Sequence, residues 1–97
     1  MNSTKKITSE LTALKPELET EFPIRKLGLF GSYARNEQQS ESDLDILVEF
    51  SEPVTLFELI RLENELTTRL GVDVDLVTRK SLKPRIEARV AEDVVYV

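Results

Sequence analysis

The sequence predicts an α+β fold in which helices flank a single mixed β-sheet. Segments with apolar residues at helical spacing alternate along the chain with shorter apolar runs that are typical of strands. Such an alternation places helices against the faces of one sheet. The chain has 97 residues, of which 40% are hydrophobic, and this length supports one small core. Residues 1–97 are therefore expected to form a single domain.

The first part of the chain is expected to contain a helix, a strand and a short second helix. Leucine and isoleucine recur every three or four positions over residues 4–20, which is the pattern of an amphipathic helix. Residues 24–30 form an apolar run that favours a strand. A short helix is expected over residues 33–39, with Gly31 or Ser32 at its N-terminal end.

The rest of the chain continues the alternation of helices and strands. Apolar residues at helical spacing between Thr55 and Gly71 predict a long helix, because threonine is a favoured N-cap and glycine commonly follows the last turn. Pro84 suits the first turn of a third long helix. The remaining expected segments are a polar turn at 40–42, strands at 43–50, 72–77 and 94–97, and that third helix at 84–91.

The composition limits the chemistry that the chain can support. It contains no histidine and no cysteine, so a metal site would have oxygen ligands, as magnesium prefers. The absence of cysteine also fits a cytoplasmic protein. The sequence shows neither the apolar segment of a signal peptide nor a run long enough to span a membrane. The net charge of −5 argues against non-specific binding to long nucleic acids.

Two aspartates at the start of the second expected strand are the first candidates for a functional site. In a strand, Asp43 and Asp45 project from the same face, and their carboxylates repel each other unless a cation is bound. The arrangement fits one divalent cation, or a pair of cations with shared ligands. A solvated strand face that carries two acidic residues is the alternative. A calcium loop is excluded because Leu47 and Val48 occupy the positions of its third ligand and its glycine.

A glycine–serine pair at the end of the first expected strand is a candidate phosphate-binding element. Gly31 would let a phosphate approach the backbone closely, and Ser32 would offer its hydroxyl and the N–H groups of a helix N-terminus. By itself the pair indicates only a turn. Its short connection to Asp43 would bring the ends of two neighbouring strands together, one for phosphate and the other for a metal ion.

A third carboxylate is expected from the strand at 72–77. Its valine and leucine residues alternate with Asp73 and Asp75, so that both aspartates share one face. Either aspartate could complete a metal site with the pair on the neighbouring strand. The alternative is an exposed face of an edge strand, and alternation alone does not choose between the two aspartates.

One segment resembles the signature of DNA-polymerase-β-like nucleotidyltransferases, in which a glycine–serine pair precedes Asp-x-Asp at a fixed spacing: LGLFGSYARNEQQSESDLDILVEF. The pattern is most similar to that of minimal nucleotidyltransferases (MNT proteins), which are often encoded beside HEPN-domain toxins. The resemblance runs from about residue 10 to the C-terminus and includes Ala34-Arg35, Ser42 and the later VDLV strand. It implies the polymerase-β-like nucleotidyltransferase fold.

The resemblance implies a role for each candidate residue. Gly31 and Ser32 would contact the triphosphate of a nucleotide. Arg35 would support the triphosphate or the adjoining helix, and a plain surface arginine is the alternative. Asp43 and Asp45 would hold a pair of magnesium ions between the triphosphate and the attacking group.

The third carboxylate of the resembled family corresponds to Asp75 and not to Asp73. The implied reaction is the transfer of AMP from ATP to a tyrosine hydroxyl of a HEPN toxin, so that the chain acts as an antitoxin. A non-catalytic antitoxin that neutralises its partner by occlusion is the alternative from another class. The complete set of three carboxylates argues against that alternative, and the small size argues against a third interpretation, an enzyme that modifies antibiotics.

Basic residues cluster after the last candidate aspartate and balance the acidic middle of the chain. They are expected to bind either the triphosphate or an acidic surface of a partner, and a solvated helix face is the alternative. The members of this basic stretch are Arg79, Lys80, Lys83, Arg85 and Arg89.

Overall fold

In the computed structural model, which describes residues 3–39 and 41–97, helices and strands follow the predicted order except that no helix separates the first two strands. The strands form one four-stranded sheet in the order β3-β2-β1-β4. The predicted class, a mixed sheet flanked by helices, is therefore confirmed. The elements are α1 (Thr4–Glu21), β1 (Ile24–Phe30), β2 (Leu44–Phe50), α2 (Leu56–Leu70), β3 (Val74–Thr78), a 3-10 turn (Arg79–Ser81), α3 (Pro84–Asp93) and β4 (Val95–Tyr96).

The register of the sheet brings distant parts of the sequence together at one end of β2. β1 pairs antiparallel with both β2 and β4, whereas β2 and β3 are parallel. Asp45 lies opposite Phe30, the last residue of β1, and also opposite Asp75 of β3. The start of β2 therefore lies between the end of β1 and the start of β3.

The main hydrophobic core lies on one face of the sheet, beneath α1 and α2. Leu44 and Ile46 of β2 are fully buried in it. By the alternation of a strand, Asp45 and Leu47 belong to the opposite face, where Leu47 lines a small gap together with Val90 of α3. The core residues are Ile7, Leu11, Leu14, Leu18, Phe22, Ile24, Leu27, Leu29, Tyr33, Leu44, Ile46, Val48, Leu62, Leu66, Leu70, Val74 and Leu76.

The helix α2 begins and ends where its capping residues predict. The Thr55 hydroxyl accepts from the N–H of Glu58 at 3.2 Å, and the Glu58 carboxylate accepts from the N–H of Thr55 at 3.3 Å. This reciprocal pair is a capping box. Gly71 follows the last turn with a left-handed φ of +72°, a conformation that glycine adopts without steric cost.

The prediction of a short helix over residues 33–39 is wrong, because the chain makes only a single turn there. Asn36 adopts a left-handed φ of 59°. The N–H of Glu37 then donates to the Ser32 carbonyl at 2.8 Å, and the N–H of Asn36 donates to the Tyr33 carbonyl at 3.2 Å. These two bonds form a Schellman motif, which ends a helix. Gly31 and Ser32 therefore lead into a turn and not into a helix.

The other differences concern the edges of elements. β2 starts at Leu44 and β3 at Val74, one and two residues later than expected, so that Asp43 lies just outside the sheet. In the turn expected at 40–42, Ser40 lies outside the described residues, while the Gln39 N–H donates to the Ser42 hydroxyl at 2.9 Å. Among residues 3–39 and 41–97, no helix is long and apolar enough to cross a membrane.

Candidate active site

The turn after β1 lies directly against the first residues of β2. Gly31 has a left-handed φ of +75°, a conformation that L side chains rarely adopt. A Cβ atom at this position would also overlap the carboxylate of Asp45. Two separate constraints therefore favour glycine at position 31: the left-handed φ and the lack of space for a side chain. The contact brings together the candidate phosphate-binding turn and a candidate metal ligand.

Asp75 is the acidic neighbour of Asp45 on the adjacent strand. The two residues are register partners in the parallel pair of β2 and β3, where strands lie roughly 4.8 Å apart. Asp73 precedes β3, and its carbonyl accepts from the N–H of Leu44 at 2.8 Å. The geometry therefore favours Asp75 over Asp73 as the partner of Asp45, a choice that sequence alternation leaves open.

The electrostatics of the site follow from this crowding of carboxylates. Partial burial raises the pKa of Asp45 above its ordinary value of 3.8, and the negative charges of Asp75 and then Asp43 raise it further. The guanidinium of Arg35 acts in the opposite direction. Two acidic side chains, Asp75 and Asp43, thus act on Asp45, and their repulsion disfavours its charged form.

Arg35 connects the turn after β1 to the end of α3. Its guanidinium donates to the carboxylate of Asp93 at 2.9 Å and to that of Glu37 at 3.1 Å. These bonds raise the pKa of Arg35. Asp93 is not predicted by the sequence pattern, because it lies 58 positions after Arg35 and no local pattern links the two residues.

Ser32 lies within the same turn and is half-buried. Its carbonyl oxygen accepts from the N–H of Glu37 at 2.8 Å. In the part of the chain that the structure describes, its hydroxyl has no hydrogen-bond partner, so the group is available to a ligand.

The donor set suits a hard divalent cation. Carboxylate oxygens are the ligands that Mg²⁺ prefers, and Asp43, Asp45 and Asp75 supply them near the start of β2 and β3. No three acidic side chains in 3–39 and 41–97 converge closely enough to hold an ion as they stand. Like charges repel one another, and a bound cation would offset that repulsion.

The basic stretch begins at the other end of β3. Thr78 pairs with Val48, three positions along the strands from the pair of Asp45 and Asp75, or about 10 Å. Arg79 binds Glu87 at 3.4 Å and approaches Glu49 to 4.0 Å, and it lines an open cavity of about 690 Å³ there. Arg79 is thus engaged away from the carboxylates, while the other basic residues of the stretch are exposed.

A glycine-containing turn beside carboxylates on adjacent strands is the arrangement expected of a nucleotidyltransferase. The family model described as "nucleotidyltransferase domain" matches residues 11–97. The chain belongs to this family.

Curated relatives and solved structures agree with this assignment. The chain is 47% identical over 97 residues to the protein adenylyltransferase MntA of Thermococcus cleftensis, covering 100% of this chain and 98% of that protein. A solved minimal nucleotidyltransferase is 33% identical with a TM-score of 0.83, covering 97% of this chain and 95% of its own. A toxin–antitoxin structure with AMP-PNP is 26% identical with a TM-score of 0.70, covering 98% and 72%.

Replacing Gly31 by alanine tests the contact between the turn and Asp45. We expect Gly31→Ala to lower the free energy of unfolding by more than Gly71→Ala does. Both glycines have a positive φ, but Gly71 has open space around it, so its replacement costs only the backbone strain of a left-handed L residue, about 1–2 kcal/mol. Gly31→Ala adds the displacement of the Asp45 carboxylate. Urea unfolding of the two variants measures the difference, and equal losses would show that Gly31 does not touch Asp45.

The raised pKa of Asp45 predicts how the stability of the metal-free protein changes with pH. The folded state binds this proton more tightly than the unfolded state, so stability is lost as the pH rises from about 3.8 through the folded pKa. The Asp45→Asn variant cannot ionise at this position, so it does not undergo this loss of stability. We expect the variant to be more stable than the wild type at pH 7, by less than about 1 kcal/mol because solvent screens the site.

The difference between Asp45→Asn and the wild type should vanish below pH 3.8, the ordinary value for the carboxyl group. Thermal melts in chelator from pH 3 to pH 8 measure it. A wild type that is more stable than Asp45→Asn at pH 7 would contradict the repulsion among the carboxylates.

Proposed function

We propose that the chain is a metal-dependent protein adenylyltransferase that transfers AMP from ATP to a tyrosine hydroxyl of a cognate HEPN toxin, and so acts as its antitoxin. The observation that carries the proposal is the close placement of Gly31, Asp45 and Asp75, because it puts an accessible backbone turn beside candidate metal ligands. The adenylyltransferase name of the 47% identical relative supports the reaction. The toxin–antitoxin structure with AMP-PNP supports the nucleotide and the kind of partner.

In this proposal Asp43, Asp45 and Asp75 hold a pair of magnesium ions. Bound divalent cations lower the pKa of the attacking hydroxyl and neutralise the charge that develops on the leaving phosphates. Three interacting carboxylates fit such ions, because a cation relieves the repulsion that, together with the larger effect of burial, raises the pKa of Asp45. Asp75 is exposed, so its oxygens are accessible from the solvent side of the sheet.

The turn after β1 binds the triphosphate in the proposed reaction. Gly31 leaves room for a phosphate to approach the backbone, and Ser32 offers a hydroxyl without a partner among the described residues. Arg35 uses two of its donor atoms for Asp93 and Glu37, and its remaining N–H groups are available to phosphate oxygens. Its positive charge also offsets part of the negative charge around Asp45.

The chemical step joins the tyrosine oxygen to the α-phosphorus of ATP. The bond between that phosphorus and the bridging oxygen to the β-phosphate breaks, and pyrophosphate leaves. The chain has no histidine, so the proton of the tyrosine hydroxyl passes to an aspartate of the site or to water.

The proposal also covers the domain assignment of residues 1–97 and their cellular location. Residues 1–97 form one minimal nucleotidyltransferase domain, in keeping with the family match to residues 11–97. A cytoplasmic location suits a cysteine-free chain that uses ATP as its donor.

Asparagine variants test both the reaction and the choice of the third ligand. The purified chain is incubated with ATP, Mg²⁺ and its cognate toxin, and the intact mass of the toxin is measured. We expect Asp43→Asn, Asp45→Asn and Asp75→Asn to lower AMP transfer roughly 100-fold or more, the scale of losing a group that stabilises the transition state. Asp73→Asn is the matched control and should keep most of the activity. All four variants should still bind the toxin.

Two results would overturn parts of the proposal separately. Wild-type transfer by Asp75→Asn, or its loss in Asp73→Asn, would show that the third ligand is assigned wrongly. A toxin whose mass never changes with the wild-type chain, although the complex forms and the toxin is silenced, would replace the enzyme with an antitoxin that acts by occlusion.

A further inference from the structure

Two side chains of α2 close the outer edge of β3. The N–H of Leu76 donates to the carboxylate of Glu63 at 2.9 Å, and the N–H of Val74 donates to the hydroxyl of Thr67 at 3.2 Å. β3 stands at the end of the sheet, where these N–H groups have no neighbouring strand to bond. Both bonds are partly buried, so an N–H group that lost its acceptor would have limited access to water.

The spacing of the two elements makes this double contact possible. Glu63 and Thr67 are one helical turn apart, about 5.4–6 Å along α2. Val74 and Leu76 are two residues apart on the strand, about 6.5 Å. One turn of α2 therefore has about the same length as one two-residue repeat of β3. The pairs of Glu63 with Leu76 and Thr67 with Val74 show that the helix and the strand run in opposite directions.

Asp75 lies between the two bonded amides. Val74 and Leu76 are buried in the core, whereas Asp75 is exposed on the other face. On its inner side β3 is paired with β2, so this segment is fixed from both edges. The second attachment matters because the carboxylates of Asp45 and Asp75 repel each other and favour a separation of the two strands.

The carboxylate of Glu63 accepts a hydrogen bond from the backbone and takes part in no ion pair among the described residues. Glu65 on the same helix is different, because it pairs with Arg69 at 3.5 Å. A carboxylate without a counterion accepts a stronger hydrogen bond from an amide than a neutral group does, although a glutamine oxygen in the same place accepts the same bond.

We propose that Glu63 and Thr67 are positioning residues, which hold the Asp75 segment of β3 beside Asp45 so that both carboxylates reach one metal site. The proposal rests on the proposed function, since it assigns Asp75 a metal to bind. If Glu63 and Thr67 only satisfied the edge amides of β3 and did not position Asp75, their replacement would affect folding and not metal binding.

The experiment compares Glu63→Ala, Glu63→Gln and Thr67→Val with Glu65→Ala as the matched control. Hydrogen exchange of the Leu76 and Val74 amides is measured in the metal-free protein by NMR. The affinity for Mn²⁺ in the presence of a non-hydrolysable ATP analogue is measured by electron paramagnetic resonance. Melting temperatures are recorded for every variant.

We expect faster exchange at Leu76 in Glu63→Ala, together with about tenfold weaker Mn²⁺ binding, the lower end of the range for residues that orient metal ligands. Glu63→Gln should restore both values, because its side-chain oxygen accepts the same bond. Thr67→Val should show the same pair of effects at Val74, and it replaces Glu63→Ala if that variant does not fold. Glu65→Ala should match the wild type in exchange and in Mn²⁺ affinity.

Two results would overturn the positioning role. One is normal Mn²⁺ affinity in variants whose β3 amides exchange faster, which would leave only a structural edge cover. The other is Mn²⁺ binding that stays weak in Glu63→Gln although the amide is protected, which would assign the effect to charge. A wild-type chain that binds no Mn²⁺ would overturn the proposed function itself, and the exchange data would still report the hydrogen bonds.

Discussion

The parallel pairing of β2 with β3 is the constraint on which the rest of the structure depends. It sets Asp45 beside Asp75 although their charges repel. The opposite face of the same strands buries residues such as Ile46 and Leu76, and each such side chain contributes about 1.5–3 kcal/mol. The repulsion at a partly exposed site costs about 1 kcal/mol or less, so burial prevails. The fold therefore holds an acidic cluster that a cation can stabilise.

Most of the fold could be predicted because its elements carry local signals. The spacing of apolar residues marks α1 and α2, and Thr55 and Gly71 mark the ends of α2 by capping rules that depend on neighbouring residues only. The proximity of the turn at Gly31 to the start of β2 could also be anticipated, since a short connection joins the two strands. The choice of Asp75 over Asp73 needed either a resemblance or the register of β2 and β3, because both aspartates fit the same alternation.

The features that could not be predicted from the sequence depend on contacts between distant residues or on single dihedral angles. Asn36 ends the expected second helix after one turn by adopting a left-handed φ, which asparagine permits but does not require. Arg35 and Asp93 meet only because the end of α3 lies near the turn after β1. The bond from Leu76 to Glu63 joins a strand edge to a helix face, and it follows from packing that no local pattern encodes.

The turn after β1, the pairing of β2 with β3 and the hydrogen-bonded edge of β3 all position groups around the carboxylate of Asp45, where we propose that a metal ion binds. The most direct measurement is the anomalous scattering of Mn²⁺ in crystals of the chain with a non-hydrolysable ATP analogue. We expect Mn²⁺ bound by oxygens of Asp43, Asp45 and Asp75, with the triphosphate against Gly31. A nucleotide bound elsewhere, or Mn²⁺ held by Asp73 with Asp75 unengaged, would contradict this proposal.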